Sequence, residues 1–168
     1  SIFTTFFRCG TIKSVQPHSM CEREVLMRLN TKCSIALHCL IFISEYENKT
    51  KVTRELLAKS TGCNAAAIRS ILNALQKADI ISVRRAVGGA HLDRLPKELS
   101  IWEVYDALEP DGLKHFIGLH PKPNDKCPIG KRIEFVLEKP YDEIGAAVKE
   151  KMETITLQQL LDDYHSRD

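Results

Sequence analysis

Apolar positions along the chain change period several times, and each change marks an element. From Asn30 or Thr31, either of which can cap, Ile35, Leu37, Leu40, Ile41 and Ile43 form a broad apolar face lasting to Tyr46, which predicts a helix. A shorter pattern over Val52–Ser60 turns Leu56 and Leu57 inward behind Thr50 or Thr53, and Gly62 ends it by tolerating left-handed backbone. Asn64 then caps a third helix running to Ala78, with Ile68, Ile71, Leu72 and Leu75 on one face. A short helix, a turn containing Gly and a longer helix make the helix-turn-helix pattern.

The period then drops to two. Ile80, Ile81 and Val83 predict a short strand, and His91–Leu95 an antiparallel return. Arg84, Arg85, Gly88 and Gly89 fall at the tip between them, where paired glycines permit the positive φ of a tight hairpin. This is a wing. After Pro96, Ser100 and Glu103 have the spacing of a capping box and open a helix to Leu108. A loop over 110–126 surrounds a short turn at Leu113–Gly118. A long helix follows from about Pro128 to Thr154, which Pro140 should bend or break near Glu138, and a last short helix spans Thr156–Asp163.

In the long helix, Ile129, Ile133, Leu137, Ile144, Val148 and Met152 form a stripe that suits one partner helix. The small head cannot cover it, so we assign Ile133, Leu137, Ile144, Val148 and Met152 to a dimer interface. The fold class is mainly α with a small β-hairpin wing. A winged helix-turn-helix head at 27–96 is followed at 97–168 by an effector loop and dimerisation helices. Residues 1–26 carry neither periodicity and read as a leader or upstream extension, expected to be poorly ordered. The alternative is that Glu22–Met27 extends the first helix backward.

Charge sharpens the division. Residues 27–95 hold eleven Lys and Arg against five acids, and residues from Pro96 onward ten against fifteen, within a net charge of only +2. A basic head points to a polyanion, and an acidic arm to a separate partner. At 43% hydrophobic and 27% charged, the composition is that of an ordinary soluble globular protein. No stretch approaches the ~18 apolar residues of a membrane span. The opening SIFTTFF run lacks the length and basic leader of a secretory signal. We expect a cytoplasmic protein with no membrane contact.

In helix-turn-helix geometry the second helix enters the major groove by its N-terminal residues. These are Asn64, Ala65 and two further alanines and, one turn on, Arg69, the candidate for base or phosphate contact. The alanines permit close approach but little hydrogen-bonded discrimination. Thr53 and Lys32 fall at expected helix starts, where hydroxyl, ammonium and free N–H groups meet phosphates, and Arg28 precedes the first helix. Arg84 and Arg85 on the wing are placed to meet phosphate or enter a minor groove. Lys49, Lys51 and Lys77 read as solvated charge.

Three stretches carry a family resemblance: MRLNTKCSIAL, NAAAIRSILNALQKADII, and the wing VRRAVGGAHLDRLPKELSIWEVYDALE, with TLQQLLDDY at the end. From Met27 to about Tyr164 the chain resembles the Rrf-two family of bacterial winged helix-turn-helix transcription regulators. The resemblance implies a homodimer joined through the long helix, with each recognition helix and wing on one half of a roughly palindromic stretch of double-stranded DNA. It gives Arg69 a recognition-helix role, and Arg84, Arg85, Gly88 and Gly89 a wing role.

One departure stands out. Cluster-binding members carry three cysteines a few residues apart in the loop before the long helix, and here that loop has only Cys127. One thiolate cannot hold an iron–sulfur cluster. His115 and His120 lie near it at loose spacing, and we expect no metal and no cofactor. The loop instead resembles that of the cluster-less subgroup, whose members respond to metabolites, partner proteins or thiol chemistry. Cys127 precedes Pro128 between Lys126 and Lys131, at a helix start that favours the thiolate, so it is the sensor candidate. A packing role for Cys127 fits the same position.

Six cysteines (9, 21, 33, 39, 63, 127) show no C-x-x-C spacing, and Cys33 and Cys39 read as core filler on the first helix. No Gly-rich phosphate loop, nucleophile set or carboxylate pair supports catalysis. The reading is a DNA-binding repressor with a small-molecule, thiol or protein signal. The competing one is a winged-helix module that binds and controls another protein.

Overall fold

The computed structural model describes residues 20–84, 89–109, 111–115 and 123–167, without the side chains of 20–30 and 114–115. Helix α1 spans Met20–Tyr46. It starts ten residues before Asn30, so the backward extension holds and residues 20–26, expected to be poorly ordered, are helical. The reason is local: no Gly or Pro interrupts 20–46, and Met, Glu, Arg and Leu there are good helix formers. Residues 1–19 lie outside the described residues.

Helix α2 covers Arg54–Thr61, with Thr53 as its cap accepting the Leu56 N–H. It ends as Gly62 turns left-handed at φ 69° and the Cys63 N–H reaches the Ala58 carbonyl at 3.1 Å. Helix α3 covers Ala65–Lys77, and Asn64 caps it by accepting the Ala67 N–H at 2.8 Å. Its end repeats the left-handed device without glycine: Asp79 sits at φ 54°, and the Ile80 N–H bonds the Leu75 carbonyl at 3.0 Å. The buried face of α3 is Ile68, Ile71, Leu72 and Leu75, as its period required.

Strand β1, Ile81–Arg84, pairs antiparallel with β2, Gly89–Leu92, from Ile81 opposite Leu92 to Arg84 opposite Gly89. The return thus begins at Gly89, two residues before the expected His91. The shift comes from outside the hairpin. Val52, expected as a helix start, instead bridges Gly89, and its carbonyl accepts the Ala90 N–H at 2.9 Å. Glu47, at the end of α1, accepts the Leu92 N–H at 2.8 Å. The tip, 85–88, with Arg85 and Gly88, lies outside the described residues.

Helix α4, Ile101–Leu108, opens on the expected capping box of Ser100 and Glu103. A short 3-10 turn at Gly112–His115 precedes α5, Gly130–Glu153, and α6, Leu157–His165, closes the chain behind a Thr156–Gln159 capping box. Pro140 does not break α5. Its missing N–H leaves the Val136 carbonyl without its helical donor, and both residues are exposed, so water can serve.

Leu40, Ile43, Leu57, Ile68, Leu75 and Ile81 share one buried cluster with Leu99, Val104, Leu157 and Leu161. Each such side chain contributes about 1.5–3 kcal/mol of burial. Helices α4 and α6 therefore belong to the packing of the head, although both fall past the boundary expected at Pro96. They are tied at their starts: the Ile101 N–H bonds the Ile155 carbonyl at 2.9 Å, and the Leu157 N–H bonds that of Leu99 at 2.8 Å. Helix α5 is what stands out. None of its residues is buried.

Candidate nucleic-acid interface

The start of α2, the outer face of α3 and the wing strands enclose a groove of about 330 Å³. Its position follows from the three devices above. Thr53 fixes where α2 begins, Gly62 sets the turn into α3, and the Val52–Gly89 bridge draws the wing against both. A Cβ on Gly89 would lie 2.4 Å from the Val52 carbonyl oxygen, and the residue holds φ 77°. Only glycine meets both demands.

Lys51, Arg54, Arg69 and Arg84 line this groove, together with Thr53, Asn73 and Gln76. Among the described residues none of these four cations has an ion-pair partner, whereas Lys32, Lys49, Arg94, Lys139 and Lys149 each do. Unpaired cations gathered in one concavity make a field that attracts a polyanion.

The residues picked out from the sequence fall into three groups. Thr53, Arg69, Arg84 and Gly89 come together in the groove. Asn64 and Ala65 are exposed at the start of α3, and Asn64 is engaged as the cap. Lys32 and Arg28 do not stand at or before a helix start, because α1 begins at Met20. Lys32 is in mid-helix, with its ammonium on Glu109 at 3.0 Å. The side chain of Arg28 lies outside the described residues, as do Arg85 and Gly88.

Five polar lining residues were not singled out: Lys51, read as solvated, and Arg54, Glu55, Asn73 and Gln76. The last two had a legible signal. Arg69, Asn73 and Gln76 recur at helical spacing opposite the apolar face of α3. Lys51 and Arg54 had none, since only the folded chain brings them beside the wing.

The thiols divide sharply. Burial pushes Cys33 up to about 11 and, with a further contribution from Cys63, Cys39 up to about 12, so both behave as core thiols. Cys127 shifts the other way. The backbone N–H groups of Gly130 and Ile129 hold its thiol below its ordinary range. Gly130 makes this turn possible, since a Cβ there would lie 2.5 Å from the Asn124 carbonyl oxygen. Along α5, Ile133, Leu137, Val148 and Met152 are half-buried and Ile144 is 45% exposed, while Ile129, Phe135 and Val136 are 73%, 80% and 58% exposed. Among the described residues no helix is long and apolar enough to cross a membrane.

Residues 29–163 match the model of a family described as Rrf2, iron-dependent transcriptional regulator. The chain is 31% identical over 133 residues to YwnA of Bacillus subtilis (strain 168), named an HTH-type transcriptional regulator, covering 79% of this chain and 96% of YwnA. A crystal structure titled as a DNA-binding protein superposes with a TM-score of 0.60 at 27% identity, covering 77% of this chain and 98% of that one. A transcriptional regulator from Lactobacillus plantarum shares the fold with a TM-score of 0.66 at 24% identity, covering 80% and 89%.

Proposed function

The chain belongs to the Rrf2 (Rrf-two) family of transcription regulators, and from that membership we propose that it binds operator DNA as a homodimer and represses the genes beside it. It is a DNA-binding regulator rather than an enzyme. In our reading each protomer takes one half of a palindromic site, with the start of α3 in the major groove and the sugar–phosphate backbone along the groove between α3 and the wing. The observation that carries this is the convergence of Lys51, Arg54, Arg69 and Arg84, none of them in an ion pair among the described residues, on one concave face. The dimer reading is supported by α5, where the single chain leaves Phe135, Val136 and Ile144 exposed.

The family description names iron, and the donor set of this chain does not suit a cluster. The loop before α5 supplies one cysteine, Cys127, and among the described residues no three His, Cys, Asp or Glu side chains converge to hold a metal. We therefore read the protein as a cluster-less member. A signal through Cys127 is the form of regulation its environment favours, because backbone N–H groups beside the sulfur stabilise the thiolate, the nucleophile that attacks peroxide.

The test is fluorescence anisotropy with the duplex upstream of the protein's own gene, before and after mild peroxide, with Cys127→Ser alongside. Tight, sequence-selective binding that oxidation abolishes only when Cys127 is present is the expected result. Selective binding indifferent to oxidant removes the thiol switch and leaves the regulator. Binding no tighter than to random duplex transfers weight to control of a partner protein.

A further inference from the structure

One residue in the groove has the wrong sign for DNA. Among the described residues that line it, Glu55 is the lone acid beside Lys51, Arg54, Arg69 and Arg84. It is exposed and sits in the first turn of α2, and none of the four cations forms an ion pair with it. The backbone N–H of Glu55 itself, then the Thr53 hydroxyl and, more weakly, the charge of Arg54 hold its carboxylate below the usual range. Free N–H groups at a helix start, beside cations, are what a phosphate oxygen seeks. The protein thus places its own anion where the DNA would place one.

We propose that Glu55 is a built-in competitor of the DNA phosphate, occupying the anion position at the start of α2 and yielding it when a strand enters the groove. The inference rests on the DNA-binding reading above and adds a residue that sets its strength. Sequence-independent affinity comes almost wholly from phosphates and the counterions they release, so a fixed carboxylate in the phosphate track acts directly on that contribution. A repulsive group is as much a part of a binding face as an attractive one. Here it keeps the regulator releasable from the excess of DNA that is not its operator.

The experiment compares the full chain with Glu55→Gln and Glu55→Lys by anisotropy, on a random-sequence duplex and on the duplex upstream of its own gene, across a salt series. Glu55→Gln should tighten binding to the random duplex roughly three- to tenfold at ~0.1 M salt, and Glu55→Lys further still. The plot of log affinity against log salt should steepen by up to about one for the Gln variant. Glu98→Gln, outside the groove, should change neither. Thermal melts that match the parent's exclude an effect through folding. If the parent binds DNA and both Glu55 variants bind equally or more weakly, the proposal is overturned, and Glu55 is a helix cap or a base contact. If neither parent nor variants bind DNA, it is the DNA-binding reading that fails.

Discussion

Gly89 answers to two constraints at once, a left-handed backbone and the approach of Val52, and only the second ties the wing to the head. Gly89→Ala should therefore cost more than an ordinary turn glycine, more than about 2 kcal/mol by urea denaturation. It should weaken DNA binding as well, because Arg84 stands opposite it in the ladder. The buried thiols make a different prediction. Cys33 and Cys39 keep their protons to about 11 and about 12 in the folded chain, against 9.0 ordinarily. The folded state then binds protons that the unfolded chain releases, so this contribution is whole below pH 9 and is lost as pH rises toward 11 and 12. Urea midpoints should fall across that window, and Cys39→Ala should flatten the fall.

At the scale of elements, periodicity told most of the story and stopped where contacts became non-local. The four buried residues of α3 and both ends of the helix-turn-helix could be read from spacing and caps, which are local in sequence. The Val52–Gly89 bridge could not, since nothing in VTRELLAKS announces a partner in the wing. Lys32 misled for a related reason: a plausible cap at Asn30 or Thr31 counts for nothing when the helix continues through it. Within the candidate interface, Arg69 and the wing were legible, while Lys51 and Arg54 needed the fold. Helix α5 makes its own prediction. Val136 and Ile144 are exposed, so Val136→Asp with Ile144→Asp should convert a dimer to a monomer by light scattering while the head melts within a few degrees of the parent.

For the whole molecule, the basic groove should act as one electrostatic unit. Removing Arg69 and Arg84 together by substitution with Ala should flatten the salt dependence of DNA binding by up to about two, roughly one per lost phosphate contact. An unchanged slope would assign them to solvent or to a base instead. The pairing of the starts of α4 and α6 has a broader consequence. The Leu99–Leu157 and Ile101–Ile155 hydrogen bonds bring the chain back beside the start of α4. The stretch between Ile101 and Ile155 is then closed at its base; its first helix, α4, stays in the core, while α5 buries no residue and can be lengthened, trimmed or exchanged without threading a new path through the core. A lineage built this way can exchange its long helix by recombination while the same DNA face is inherited intact.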